Sequence, residues 1–181
     1  MKTVLLLSDH PQSDIAEQYA KELLDVIQVQ RHSRYHRTLD KVSTAEVLLN
    51  FLSAQKVPKN VLDRFRYAIN FHPAPPEYPG VGSASLALYD KRETHGVTAH
   101  MMTDTFDAGQ IIRVRRFRID PSWGYKALFS RALDECVFLF RDVIRDIEGG
   151  LPLAHSTATW ARQAYTAKEY ARHPAFTEVA S

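Results

Sequence analysis

Asn70 and His72 stand two residues apart where an apolar run, Tyr67 to Phe71, gives way to a proline-rich stretch. In an extended backbone alternate side chains share a face, so this amide and this imidazole point the same way and can serve one reacting centre. Ligands of open α/β sheets gather at the carboxyl ends of strands, which is where the pair falls. Pro73, Pro75, Pro76 and Pro79 stiffen the exit. Gly80 and Gly82 give the backbone room to turn or to approach a ligand. Further along, a polar loop carries Asp104, Asp107 and Gly109. From residue types alone, His72 reads more readily as a structural histidine at a strand end than as a catalytic one. His72, His95, His100 and Asp107 follow no zinc-binding spacing, so no metal is expected. Ser8-Asp9-His10-Pro11-Gln12-Ser13, after the first apolar run, holds no glycine, which argues against a dinucleotide site. Cys136 is the only cysteine, which excludes an internal disulfide. It lies in the apolar run Cys136 to Phe140 and reads as a buried, inert thiol.

The elements that must position these residues alternate between strand and helix. Val4 to Leu7 is a continuous apolar run, the mark of a strand covered on both faces. Ser13 or Asp14 is expected to cap a helix whose apolar positions run from Ile15 to Leu24. Val26 to Val29 reads as a strand, and residues 31–45 as polar and irregular. Val47 to Leu52 is a strong strand, and Pro58 suits the first turn of a short helix. After Tyr67 to Phe71, Ser83 caps a helix to about Tyr89, and Gly96 to Met101 and Ile111 to Phe117 read as strands. Ser122 opens the longest helix, ended by Gly149-Gly150. This alternation predicts an α/β domain with a mainly parallel sheet flanked by helices. One domain, 1–181, is expected: a front half over 1–66, the chemistry-bearing stretch over 67–120, and the long helix and tail over 121–181. With 45% apolar residues in 181, a single core is within reach.

Three stretches resemble, in order, the family of formyltransferases that use N10-formyltetrahydrofolate. Asn70-Phe71-His72-Pro73 with Tyr78-Pro79-Gly80 is similar to the family's Asn-x-His-Pro segment and the proline and glycine after it. Gly96-Val97-Thr98-Ala99-His100 is similar to its Gly-Val-Thr-x-His strand, and Asp107-Ala108-Gly109-Gln110-Ile111-Ile112 to its Asp-x-Gly-x-Ile-Ile loop. Trp160 to Glu169 resembles a Trp…Thr-x-Lys-Glu tail found in several members. The resemblance implies a Rossmann-like sheet whose N-terminal part is reduced, because only 69 residues precede Asn70.

It also implies roles. Asn70, His72 and Asp107 would be catalytic, with Asn70 and a protonated His72 donating hydrogen bonds to the oxyanion of a tetrahedral intermediate. Asp107 would take or relay the proton of the attacking amine, and pair with His72. N10-formyltetrahydrofolate would be the co-substrate, with no metal. Its pterin would lie between residues 51–58 and 101–109 on mainly backbone hydrogen bonds, beside Phe51, Leu52, Ser53, Val57, Met102, Asp104, Thr105 and Phe106. Thr98 and His100 are expected in supporting roles, and His95 at the surface.

The acceptor implied is a small amine: an amino sugar, free or nucleotide-linked, or a hydroxylamine or amino acid. Two other readings share the residues, namely a formyltetrahydrofolate hydrolase and a non-catalytic folate-binding module. No domain like the tRNA-binding part of methionyl-tRNA formyltransferases is expected. The one basic run, Arg31 to Arg37, is short and isolated, so no nucleic-acid partner is expected. No membrane partner is expected either, since no stretch approaches a membrane span or a signal-peptide core, and the location implied is cytoplasmic. The reduced front half leaves one wall of the cleft to be supplied, for which a homodimer is the expected source. The Pro73–Gly82 loop, Trp160 and Tyr165 are placed near that wall or at the subunit contact.

Overall fold

A computed structural model describes residues 1–31, 44–153 and 155–178. Six strands form one sheet in the order β2-β1-β3-β4-β5-β6. They are β1 (Lys2–Leu7), β2 (Asp25–Arg31), β3 (Val47–Phe51), β4 (Tyr67–His72), β5 (Thr94–Met101) and β6 (Ile111–Arg118). The first four pair in parallel, and β5 and β6 are antiparallel to their neighbours. The sheet is thus mainly parallel, as its alternation with helices predicts, and changes sense between β4 and β5.

The apolar runs behave as period-two strands buried on both faces. Leu5, Leu7, Leu49, Phe51, Ile69 and Phe71 face one side, where α1 (Gln12–Leu23) and α4 (Tyr125–Glu148) cover them. Phe51, Phe71 and Phe140 meet there at ring separations of 4.9–6.1 Å. A Phe140→Ala cavity at that junction would cost ~3–5 kcal/mol. Val4, Leu6, Leu48 and Ala68 face the other side, against α2 (Lys59–Leu62). The remaining helices, α3 (Ser83–Tyr89), α5 (Ala167–Tyr170) and α6 (Pro174–Glu178), lie toward β5, and a third cluster joins Tyr78, Ala84, Leu86, Leu128 and Ala175.

Helix starts depart from the sequence expectation, each for a local reason. In α1 the Ser13 hydroxyl bonds Ser8 at 2.9 Å, so Pro11 stands at the cap without a side-chain bond. The long helix opens at Tyr125 and not at Ser122. Asp120 captures the Ser122 amide at 2.8 Å and its hydroxyl at 2.7 Å, closing a turn first. Ser83 is the first residue of α3, after Gly82 in the left-handed conformation. Cys136 is fully buried on α4, and burial pushes its thiol pKa up, in keeping with an inert thiol. Most of the Arg31–Arg37 run falls outside the described residues. Among the described residues, no helix is long and apolar enough to cross a membrane.

Candidate active site

The second face of the sheet turns polar toward the carboxyl ends of β3 and β4. Leu48 pairs with Ala68, and two residues on Asn50 pairs with Asn70, which in turn pairs with His100 of β5. A row of polar side chains therefore crosses three adjacent strands where the sheet changes sense. Asn50 Nδ2 donates to Asn70 Oδ1 at 2.9 Å, and Asn70 Nδ2 lies 2.9 Å from His100 Nε2. His72, one pleat further along β4, shares this face. Thr98, its register partner, donates to the Ala74 carbonyl at 2.7 Å and anchors the start of the proline-rich loop.

Asp107 descends on this row from the loop between β5 and β6. Its Oδ2 accepts from the Gly80 amide at 2.8 Å and lies 3.3 Å from His72 Nδ1. Its Oδ1 lies 3.2 Å from His100 Nε2 and 3.4 Å from Asn70 Nδ2. The backbone there is left-handed, with φ 45°, a conformation Asp adopts more readily than most residues. Burial opposes the charge on Asp107. The His72 ring, the His100 hydrogen bond and the Gly80 amide outweigh it, and hold the pKa well below the usual carboxylate range. All three predicted catalytic residues thus meet at one buried carboxylate.

His72 is held differently from the expectation. Its Nε2 lies 2.9 Å from the Tyr78 carbonyl, an acceptor, while Nδ1 faces Asp107. Both nitrogens face acceptors, so neither points to open space. His100 donates from Nδ1 to the Met101 carbonyl at 2.9 Å. Neutral, it accepts from Asn70 through Nε2; charged, it donates to Asp107. Of the three predicted catalytic residues only Asn70 is half-buried; His72 and Asp107 are buried.

The tail closes the other side. Trp160 lies edge-on to His100 and His72, with ring centroids 5.0 and 6.0 Å away, and donates Nε1–H to the Gly109 carbonyl at 2.8 Å. The Ala161 amide bonds the Pro76 carbonyl, and Tyr165 bridges Gly80 and bonds Pro79 and Val81. Gly80 has φ +86°, and a Cβ there would stand 2.3 Å from the Tyr165 carbonyl oxygen, so only glycine allows the strap this close. Gly109 is equally constrained: a Cβ would fall 1.8 Å from the Met101 carbonyl oxygen. Trp160 and Tyr165 therefore lie beside the Pro73–Gly82 loop of the same chain.

The predicted folate residues divide by environment. The Phe51 side chain is in the α1/α4 core, so only its backbone faces the site. Leu52 is left-handed, with φ 59°, and Ser53 is buried with its carbonyl accepting from Asn50 Nδ2 at 3.0 Å. Val57 and Met102 belong to one small apolar cluster behind the polar row. Asp104, Thr105 and Phe106 are exposed on the loop that carries Asp107. His95 is corrected: it is fully buried, between Tyr78 and Phe117 at 6.3 and 5.8 Å. Sequence reasoning missed Asn50 and the Tyr78 carbonyl. The signal for Asn50 was a single polar residue inside the otherwise apolar run Val47 to Leu52. Among the described residues, no cluster of three or more His, Cys, Asp or Glu could hold a metal ion.

The sequence pattern described as formyl transferase matches residues 3–144. A methionyl-tRNA formyltransferase of Syntrophomonas wolfei is 26% identical over 160 residues, covering 87% of this chain and 50% of that protein. The chain spans a third to a half of the length of the curated relatives it matches. Two solved structures share the fold. One is an N-formyltransferase from Helicobacter canadensis, in complex with folinic acid and dTDP-3-aminofucose. Its TM-score is 0.71 at 14% identity, covering 93% of this chain and 72% of that one. The other is the formyltransferase PseJ from Anoxybacillus kamchatkensis, in complex with UDP-4,6-dideoxy-4-formamido-L-AltNAc and tetrahydrofolate. Its TM-score is 0.74 at 16% identity, covering 96% and 89%.

Proposed function

The chain belongs to the formyl transferase family, and on that premise we propose that it moves a formyl group from N10-formyltetrahydrofolate to the amine of a small acceptor, of which a nucleotide-linked amino sugar is the first choice. The observation that carries this reading is the buried Asp107 carboxylate, which gathers His72, His100, Asn70 and the Gly80 amide. A folate-binding module has no use for an ionised carboxylate buried against two histidines. Sugar-nucleotide complexes of two proteins with this fold support the acceptor class.

The chemistry follows from the positions. The acceptor nitrogen bonds to the formyl carbon, and negative charge gathers on the former carbonyl oxygen. Asn70, the half-buried donor, presents Nδ2 to that oxygen, and His72 stands beside it against Asp107. One preorganised donor of this kind contributes ~3 kcal/mol. The nitrogen must shed a proton as the bond to the folate N10 breaks, and N10 must gain one. Asp107 is ionised and ready to accept it. Met102, half-buried against the apolar cluster that holds Val57, offers the pterin an apolar contact. A homodimer stays part of this reading, and light scattering over a dilution series tests it.

Incubation with N10-formyltetrahydrofolate and a panel of nucleotide-linked amino sugars is the deciding experiment. Amine-dependent release of tetrahydrofolate is the expected result. Release of formate at the same rate without amine would instead establish a hydrolase.

A further inference from the structure

Asn50 is 2% exposed on β3, and nothing in the chemistry above uses it. Its two amide hydrogens are both committed, one to the Ser53 carbonyl at 3.0 Å and one to Asn70 Oδ1 at 2.9 Å. Its own Oδ1 is buried with no hydrogen-bond partner among the described residues. A native protein tolerates such an orphan acceptor only for a reason, and here the donors are the reason. The order of constraint can be read from fixed to free. A backbone carbonyl can only accept, so Ser53, just past the left-handed turn at Leu52, compels Asn50 to face it with Nδ2. Asn50 Nδ2 then meets the Asn70 side chain and demands its oxygen. Asn70 is left with Nδ2 directed at His100 and Asp107, the side on which the reaction takes place.

We infer that Asn50 is a positioning residue for formyl transfer. It fixes the amide of Asn70 so that the nitrogen, and not the oxygen, is offered to the developing oxyanion. It also ties that orientation to the 51–57 segment through Ser53. The inference rests on the role proposed for Asn70. A reversed Asn70 amide would set a carbonyl oxygen against the oxyanion and remove the donor outright.

The test is a double-mutant cycle of Asn50 with Asn70, measured as kcat and KM for formyl transfer. Asn50→Asp replaces the donors with acceptors that draw Asn70 Nδ2 out of the site. It is expected to lower kcat ~100-fold, the effect of losing one oxyanion donor, with little change in the KM for the folate. Asn50→Leu keeps the size without a buried charge. It removes one hydrogen bond to Asn70 and is expected to lower kcat ~tenfold. Combined with Asn70→Ala, either change is expected to cost nothing further, because residues acting through one group are non-additive. Full multiplication of the two losses, or wild-type kcat in Asn50→Asp and Asn50→Leu, overturns the inference. A wild-type chain that transfers no formyl group overturns the function instead. The arrangement is then read by NMR without turnover: the Asn70 side-chain amide protons exchange slowly in the wild type and faster in Asn50→Leu. Unchanged exchange overturns the positioning role.

Discussion

Replacing Asp107 with Asn removes the charge and little else. The left-handed backbone at this position, φ 45°, suits Asn nearly as well as Asp, whereas Ala would add ~1–2 kcal/mol of strain. Four donors converge on the carboxylate, and Asn keeps one oxygen for them. The Gly80 amide is backbone and cannot turn away, so the oxygen stays beside it and His72, and the new NH2 faces His100 and Asn70. His100 can accept through Nε2 because its Nδ1 already donates to Met101. Asn70 Nδ2 meets another donor. One such conflict costs ~1–3 kcal/mol of stability. At roughly 2–4 °C per kcal/mol for a chain of this size, Tm should fall by about 2–12 °C. Turnover should fall much further, by ~100-fold to 10,000-fold, since the group that carries the proton from amine to folate is gone. Tetrahydrofolate release with the true acceptor, beside a thermal melt and calorimetric folate binding, gives all three quantities. A variant that kept more than about a tenth of wild-type turnover would refute the proton-carrying role assigned to Asp107.

The other expectations are more compact. His72→Ala should lower turnover ~100-fold or more with folding intact, and near-native rates would remove His72 from the mechanism. His95 is buried without a well-formed hydrogen bond, and burial and the neighbouring His72 lower its pKa to about 4. Its contribution to stability is full above the unfolded value near 6.5 and is lost as pH falls toward 4, about 3 kcal/mol in all. His95→Leu should therefore flatten the stability profile between those pH values, and an unchanged slope in denaturant titrations would contradict this. Gly80→Ala drives a Cβ into the Tyr165 backbone. Limited proteolysis should then cut the tail faster, and equal cleavage rates would show that the contact is dispensable. Crystals soaked with tetrahydrofolate should place the pterin between residues 51–58 and 101–109; density at residues 8–13 would overturn that placement.

The strands were legible because buried parallel strands leave continuous apolar runs, and β1, β3 and β4 are such runs. The antiparallel sense of β5 and β6 was not, since the period-two burial of a strand is the same in either direction. The expected start of α4 failed because Asp120 takes up both the amide and the hydroxyl of Ser122, the group expected to cap the helix. His95 looked exposed because polar neighbours precede it, and its burial comes from Phe117 and Tyr78, distant in sequence. At the site, the resemblance of three ordered motifs pointed to Asn70, His72 and Asp107, which the fold brings together. The rotation of His72 toward the Tyr78 carbonyl depends on the path of the proline-rich loop, which side-chain identities do not specify.

The strap from Trp160 to Tyr165 bears on how the protein is made. Chains emerge from the ribosome amino end first, and domains begin to fold in that order. The four parallel strands can pair as soon as β4 is available, and α4 covers one face later. Tyr165 and Trp160 come later still, yet they hold Gly80 and back both histidines. The parallel strands are therefore all synthesised before the strap that covers the proposed site. A product trimmed ahead of Trp160 would carry the three side chains proposed as catalytic without the cover that backs them.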